Sequence, residues 1–148
     1  MTTVRELLKE RADKSVWSLT PDMTVLAALK EMAEHNVGAM PVMDGECLVG
    51  VYSERDYARN VVVKGAYTND TLLSEAMVHD VVTVTQDETL EDCMRLMGEK
   101  HIRHLPVVED CRLIGHFSIR DLMQWFIDQQ KHKIDHLQNY IEGSGYGR

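Results

Sequence analysis

Apolar residues along the chain follow two patterns, one typical of helices and one typical of strands. In segments 25–33 and 90–97 they recur every three or four residues, which places them on one face of a helix. Short runs of β-branched, aromatic and other apolar residues predict six strands: Val16–Leu19, Ala39–Met43, Cys47–Tyr52, Val81–Val84, Leu105–Val108 and Leu113–Phe117. Further helices are expected to begin after Ser53 and after Ser118. The predicted order is therefore strand, helix, strand, strand, helix, and it occurs twice.

These two sets of elements are copies of one unit. Residues 20–56 align with residues 85–121 at a constant offset of 65 without a gap, and twelve of the 37 aligned pairs are identical. One unit is too small to bury its apolar face, whereas two units packed face to face can do so. The sequence thus predicts an α+β fold of two pseudo-symmetric βαββα repeats with flanking helices. The predicted segments are an N-terminal helix over 1–13, a first repeat over 14–64, a second repeat over 77–127, and a helical extension with a flexible tail over 128–148.

The composition is that of an ordinary globular chain. It has 148 residues, of which 44% are hydrophobic and 27% charged, and no apolar run is long enough for a transmembrane helix. The net charge of −8 disfavours binding to nucleic acid. Because no apolar secretory signal opens the chain, a cytoplasmic protein without membrane contact is expected. Cys47, Cys93 and Cys111 lack paired metal-ligand spacing and are predicted to be reduced, buried thiols.

A Ser-x-x-Asp motif stands at the same place in both copies, where a predicted strand ends and a helix begins. It reads Ser53-Glu54-Arg55-Asp56 in the first copy and Ser118-Ile119-Arg120-Asp121 in the second. One interpretation is a capping box, in which the serine and the acid satisfy each other's backbone N–H groups. The other is a ligand site: a helix N-terminus attracts phosphate, the arginine adds positive charge, and the carboxylate accepts from the hydroxyls of a ribose. The motif by itself leaves both interpretations open.

A second motif lies upstream of each Ser-x-x-Asp. It reads Val37-Gly38-Ala39-Met40-Pro41 in the first copy and Ile102-Arg103-His104-Leu105-Pro106 in the second. With both motifs repeated in register over roughly residues 14–127, the chain resembles a tandem pair of CBS domains, which is called a Bateman module. The resemblance implies a regulatory protein that binds adenine-containing ligands and is not an enzyme.

The resemblance also implies roles for individual residues. Asp56 and Asp121 would bind ribose hydroxyls. With the arginines of the motif included, the phosphate contacts would come from Ser53, Arg55, Arg103, His104, Ser118 and Arg120. The adenine slot would be formed by Val16, Trp17, Ser18, Val81, Val82 and Thr83. Alternatives stay open for two of these: Trp17 as a core or interface aromatic, and His104 as a structural histidine.

The two copies differ beside the proline of the second motif. Arg103 and His104 stand where the first copy has Gly38 and Ala39. In nucleotide-binding relatives such as the AMP-activated kinase gamma subunit, basic residues next to this proline contact phosphates. The second cleft is therefore expected to be positive, and the first to be roomier.

The chain is also similar to a subgroup of short, stand-alone bacterial CBS-pair proteins that are associated with AMP and NAD(H). This similarity lies in Ser53–Arg59, in Arg103–Val107 and in the tail Asn139–Gly143. The expected ligands are AMP, ADP, ATP or NAD(H), and a Rossmann mode of binding is excluded because no G-x-G-x-x-G follows a strand. A homodimer and an unidentified effector protein are the expected partners.

Two other functions and one metal site are alternatives to this sensor. A ligand-independent interaction module would use both Ser-x-x-Asp motifs only as helix caps. An enzyme such as a nucleotide hydrolase is disfavoured, since no P-loop and no recognisable triad is present. His132 and His136 could share a metal on a long C-terminal helix predicted from about Ile119 to Ile141, but a solvated helix face is the simpler interpretation, and no metal is expected.

Overall fold

The computed structural model describes residues 2–10, 17–63, 65 and 70–145. For residues 144 and 145 it describes the backbone only. Four strands form one antiparallel sheet, in which the second and fourth strands of the chain are the central pair and the first and third are the edges. In chain order the elements are α1 (Val4–Glu10), α2 (Val25–His35), β1 (Ala39–Asp44), β2 (Cys47–Ser53), α3 (Glu54–Tyr57), a π-helical segment (Ala58–Val63), α4 (Leu73–Ala76), α5 (Leu90–Lys100), β3 (His104–Glu109), β4 (Arg112–Ser118) and α6 (Ile119–Gly145). The predicted α+β fold of two repeats is confirmed.

Both predicted hairpins are present, and they turn in the same way. The turn between β1 and β2 places Gly45 at φ +64°, and the turn between β3 and β4 places Asp110 at φ +58°. Glycine, aspartate and asparagine are the residues that tolerate this left-handed conformation best. A register shift also falls at matching positions, after Val42 in β1 and after Val107 in β3. The internal repeat of the sequence is therefore a repeat of backbone geometry.

The helices of the two repeats begin and end at equivalent residues. Thr24 caps the N-terminus of α2, and Thr89 caps that of α5, each accepting a hydrogen bond from a backbone N–H three residues on. At the other end, Asn36 and His101 both adopt φ +55°. A left-handed residue at this position closes a helix by satisfying its last carbonyl groups.

The first strand predicted for each repeat is reduced to a single bridge. Leu19 pairs in parallel with Val42 of β1, and Val84 pairs in parallel with Val107 of β3. Two hydrogen bonds hold Leu19, one to the carbonyl of Pro41 and one from the N–H of Met43, both 2.8 Å long. The predicted lengths of Val16–Leu19 and Val81–Val84 were therefore wrong. Their apolar character reflects burial of Leu19 and Val84 rather than an extended ladder.

Each repeat has its own core, and each core includes a short helix from outside that repeat. The helix before the first repeat packs on the second core, and the helix before the second repeat packs on the first core. Helix α1 adds Val4 to the core of the second repeat, whereas α4 adds Leu73 to the core of the first. The backbone follows the same rule. The N–H of Val4 donates to the carbonyl of Glu88 at 2.9 Å, and the N–H of Leu73 donates to the carbonyl of Met23 at 2.7 Å. The two repeats are therefore interlocked by exchanged helices.

The prediction for the cysteines was wrong for two of the three. Cys47 and Cys111 form a disulfide, with their Cα atoms 4.8 Å apart. Antiparallel pairing of β2 with β4 brings these two residues together, although they are 64 positions apart in the chain. Cys93 is a buried free thiol as expected. Burial, together with the negative charges of Glu88 and Asp92, raises the pKa of Cys93 to about 12.

Helix α6 runs 27 residues, from Ile119 to Gly145, and so passes the predicted end near Ile141. Its first turns bury Leu122, whereas residues 130–143 are all exposed. Large apolar side chains remain on the surface of this helix at Met123, Ile127, Ile134, Leu137, Tyr140 and Ile141. Of the flexible tail predicted over 143–148, residues 143–145 belong to α6, and residues 146–148 lie outside the described part of the chain. Among the described residues, no helix has both the length and the apolar character needed to cross a bilayer.

Candidate functional site

The first Ser-x-x-Asp motif folds as a complete capping box at the N-terminus of α3. The backbone N–H of Ser53 donates to Oδ2 of Asp56 at 3.0 Å, and the Ser53 hydroxyl donates to the same oxygen at 2.8 Å. In return, the backbone N–H of Asp56 donates to Oγ of Ser53 at 3.2 Å. These contacts orient both side chains at the point where β2 ends.

The second motif builds the same arrangement at the N-terminus of α6. The N–H and hydroxyl of Ser118 donate to Oδ2 of Asp121 at 2.8 Å and 3.1 Å, and the N–H of Asp121 donates to Oγ of Ser118 at 3.2 Å. A carboxylate offers about four acceptor positions on its two oxygens. A capping role and a ligand contact are thus chemically compatible, and the box fixes the carboxylate in one orientation.

Arg103 and His104, two of the residues predicted to contact phosphate, lie next to the capping box of the second repeat. The carbonyl of Arg103 accepts the N–H of Ile119, the first residue of α6, at 2.8 Å. His104 lies directly across the β3–β4 ladder from Ser118. In the first repeat the same positions are held by Gly38 and Ala39, with the carbonyl of Gly38 accepting the N–H of Glu54 at 3.0 Å.

The charge on the imidazole of His104 depends on its burial and on the neighbouring charges of Arg103 and Asp121. Although the residue as a whole is exposed, nearby protein removes enough water from the ring to lower the pKa of His104. The positive charge of Arg103 lowers the pKa further, while the negative charge of Asp121 opposes both effects. The pKa of His104 is lowered overall, so the neutral imidazole is favoured near neutral pH.

The two arginines inside the motifs take no part in either box. Arg55 and Arg120 are exposed on the first turn of α3 and α6 respectively. Each lies one residue before the aspartate of its motif.

The described residues of the predicted adenine slot lie beside β1 and β3, toward the ends of these strands that carry the Ser-x-x-Asp boxes. Because Leu19 runs parallel to β1 opposite Val42, the preceding Trp17 and Ser18 point back toward the start of β1 and hence toward Ser53. The corresponding residues of the second repeat are partly buried at Val81 and Val82 and exposed at Thr83. Val16 lies outside the described residues.

The ring of Trp17 already has a partner. It stacks on the imidazole of His35, with ring centroids 4.3 Å apart and planes 14° from parallel. His35 was not among the predicted site residues, and its place at the end of α2 carried no signal in the sequence. The stack covers one face of the indole, so a base could reach only the other face.

Tyr52 is a second residue that sequence reasoning did not assign to the site. It is completely buried, and it immediately precedes Ser53. Burial raises the pKa of Tyr52 to about 12, with the charges of Asp56 and Tyr57 adding to the effect. Phe117 takes the same position in the second repeat. A buried ring next to each box anchors the end of the strand that carries the serine.

A duplicated α+β unit, with a capped Ser-x-x-Asp helix after each hairpin, defines a class of proteins built from paired repeats. The family model for the CBS domain matches residues 3–63 and 73–128. The chain therefore belongs to the CBS domain family, and it contains a tandem pair.

Comparison with known proteins supports this assignment. The chain is 35% identical to the mitochondrial CBS domain-containing protein CBSX3 of Arabidopsis thaliana, over 98% of this chain and 74% of that protein. It is 39% identical to a putative signal-transduction protein with CBS domains from Burkholderia ambifaria, with a TM-score of 0.79, covering 87% and 96% of the two chains. The structure of CBSX2 in complex with AMP is 26% identical, with a TM-score of 0.75, covering 88% and 99%.

Proposed function

We propose that this chain is an adenine-nucleotide sensor that binds AMP, ADP, ATP or NAD(H) and responds to cellular energy or redox state. The observation that carries the proposal is the group at the second repeat. There, Arg103 and His104 lie against the Ser118–Asp121 box at the start of a 27-residue helix. The similarity to CBSX2, which was solved with AMP, supports an adenine nucleotide as the ligand class.

Each part of a nucleotide has a matching group at this site. The N-terminus of α6 carries a partial positive charge, which favours a phosphate there. Arg103 supplies a full charge and a planar fork of donors suited to phosphate oxygens. Asp121 can accept from the hydroxyls of a ribose, while Val82 offers an apolar surface for the base. The first repeat has the same frame with Ser53 and Asp56 but without the two basic residues, so weaker binding of charged ligands is proposed there.

Regulation would follow from the interlocked packing of the repeats. A ligand that contacts groups from both repeats favours one relative orientation, and it shifts that equilibrium only by its differential affinity for the two arrangements. The exposed apolar side chains of α6, among them Ile134 and Ile141, support a homodimer or the docking of an effector protein. We propose a regulatory role without catalysis. A cytoplasmic location stays a prediction of the sequence.

A second candidate is an interaction module that needs no ligand. It is favoured by one observation: in both motifs the serine and the aspartate already satisfy each other. Under this alternative, the motifs stabilise two helix starts and have no further role. The two candidates differ in what a substitution at Asp121 does to nucleotide affinity.

The test is a thermal-shift panel with AMP, ADP, ATP, NAD, NADH and S-adenosylmethionine, followed by calorimetry on each ligand that stabilises the protein. A ligand at 100 times its dissociation constant adds about 2.7 kcal/mol to the free energy of unfolding. Asp121→Ala is expected to weaken binding by about 1.5–3 kcal/mol, because a charged hydrogen-bond partner is lost.

The matched control is Thr89→Ala, which removes the N-cap of α5 but no group of the site. It should lower stability by about 1 kcal/mol and leave nucleotide affinity unchanged. If no nucleotide stabilises the wild-type protein, or if Asp121→Ala lowers stability alone, the interaction module is the better description.

A further inference from the structure

The seam between the two repeats is crossed by a disulfide whose symmetry-related counterpart is an ion pair. Strands β2 and β4 meet where Cys47 faces Arg112, the one register position they share among the described residues. Under the internal repeat of 65 residues, Cys47 corresponds to Arg112, and Glu46 corresponds to Cys111. The Cys47–Cys111 bond on one side of the pseudo-two-fold axis is thus matched by Arg112 Nε and Glu46 Oε2, 3.5 Å apart, on the other.

The two cross-links differ in strength. The side chains of Arg112 and Glu46 are 65% and 79% exposed, and ion pairs this exposed contribute little to stability. The disulfide closes a loop of 64 residues that includes β2, α4, α5 and β3, and long loops are those in which a cross-link most restricts the unfolded chain. Apart from the disulfide, a hydrogen bond of 2.9 Å from the N–H of Leu48 to the carbonyl of Cys111 also spans the seam.

The disulfide is accessible from solvent. Cys111 is exposed in the turn before β4, and Cys47 is partly exposed at the start of β2. A solvent thiol can therefore reach Sγ of Cys111, whereas buried Cys93 is out of reach. The exposed Cys47–Cys111 disulfide is therefore expected to react with a solvent thiol, whereas buried Cys93 is not.

We propose that Cys47 and Cys111 form a reversible thiol–disulfide site through which a dithiol reductant sets how tightly the two repeats are coupled. A thiolate of the reductant attacks Sγ of Cys111, forming a mixed disulfide and releasing Cys47 as a thiolate, which takes up a proton. The second thiol of the reductant then resolves the mixed disulfide and frees Cys111. Two electrons and two protons pass from the dithiol to the protein, and the reductant leaves as a disulfide.

This inference does not depend on nucleotide binding, and its experiment measures none. The full chain, purified without reductant, is treated with dithiothreitol or left untreated, alkylated in the native state, and weighed as an intact protein. No alkylated cysteine is expected without reductant and two with it, Cys93 reacting only after denaturation. Two cysteines alkylated in the untreated, air-exposed protein would overturn the proposal.

Thermal unfolding and hydrogen exchange then test the coupling of the repeats. Reduction should lower the unfolding temperature by roughly 10 °C, and it should speed exchange of the Leu48 amide in the folded protein. Cys111→Ser should show both changes without reductant and no further change with it. If that variant does not fold, the reduced wild-type protein supplies the same comparison.

The matched control is Glu46→Gln, which breaks the symmetry-related ion pair. It should change the unfolding temperature by no more than about 1 °C, and its response to dithiothreitol should equal that of the wild type. Equal exchange of the Leu48 amide in oxidised and reduced protein would refute control of the coupling.

Discussion

The two repeats share a backbone frame but differ in the chemistry beside each capped helix. In the first repeat, Gly38 and Ala39 precede a four-residue helix that continues as a π-helical segment. In the second, Arg103 and His104 precede the 27-residue helix α6. The capping boxes are nearly identical in both. The residues that build the frame are therefore shared by the two repeats, while the residues just before the prolines of β1 and β3 differ.

The largest expected effect concerns two equivalent glycines. A Cβ at Gly50 would lie 2.6 Å from Sδ of Met77 and 2.9 Å from the carbonyl oxygen of Val78, whereas one at Gly115 would meet only the flexible end of Leu8 at 3.0 Å. Gly50→Ala should therefore lower the free energy of unfolding by about 3 kcal/mol, and Gly115→Ala by about 1 kcal/mol. Denaturant titration of both variants measures the difference. Equal losses would show that α1 and the residues directly after α4 pack with equal tightness against the sheet.

The next effect comes from exchanging the residues that distinguish the clefts. Arg103→Gly should weaken binding of ADP by about 1–2 kcal/mol and leave the affinity for adenosine unchanged, because the contact proposed for Arg103 is to phosphate. Gly38→Arg should strengthen ADP binding at the first repeat, since a Cβ there meets nothing closer than Glu54 Oε2 at 3.8 Å. Calorimetry with both ligands measures the two changes. Equal losses for adenosine and ADP in Arg103→Gly would remove the phosphate role of this residue.

A smaller effect, equal in both repeats, is expected at the helix caps. Thr24 Oγ1 accepts the N–H of Ala27 at 3.1 Å, and Thr89 Oγ1 accepts that of Asp92 at 3.2 Å. Thr24→Ala and Thr89→Ala should each lower the free energy of unfolding by about 1 kcal/mol. Chemical denaturation of the pair tests how far the symmetry of the frame extends to its energetics. Clearly unequal losses would show that the two repeats differ in the energetics of their helix caps as well as in the residues beside their Ser-x-x-Asp boxes.

The smallest effect is a dependence on pH confined to the second repeat. Because the folded protein lowers the pKa of His104 below its ordinary value of 6.5, the unfolded chain binds the proton more readily. Stability conferred by the neutral ring is present above that value and is lost as pH falls through it. His104→Gln should remove this part of the decline, as measured by unfolding at a series of pH values. Parallel curves for variant and wild type would contradict the lowered pKa.

The same residue gives a signature of phosphate binding. A bound phosphate stabilises the protonated imidazole, so nucleotide affinity should rise as pH falls and binding should take up protons. Calorimetry in buffers of different ionisation enthalpy measures this uptake. Protonation that is unchanged on binding would separate His104 from the phosphate.

Sequence reasoning succeeded where the information is local. The two hairpins and both Ser-x-x-Asp boxes depend on residues within a few positions of each other, and all are present. It failed at Cys47 and Cys111, because no local pattern distinguishes a thiol that faces solvent from one that faces another strand. It could not foresee the stack of Trp17 on His35 for the same reason.

The sequence by itself determined that the chain contains two copies of one α+β unit, since twelve identical pairs in a gapless alignment leave a single register. It also determined where each capped helix begins, through the chemistry of serine and aspartate. Only the tertiary structure decided that α1 completes the second core and α4 the first, and that the seam is crossed by a disulfide. These contacts join distant segments, and their energies depend on packing that no short stretch of residues encodes.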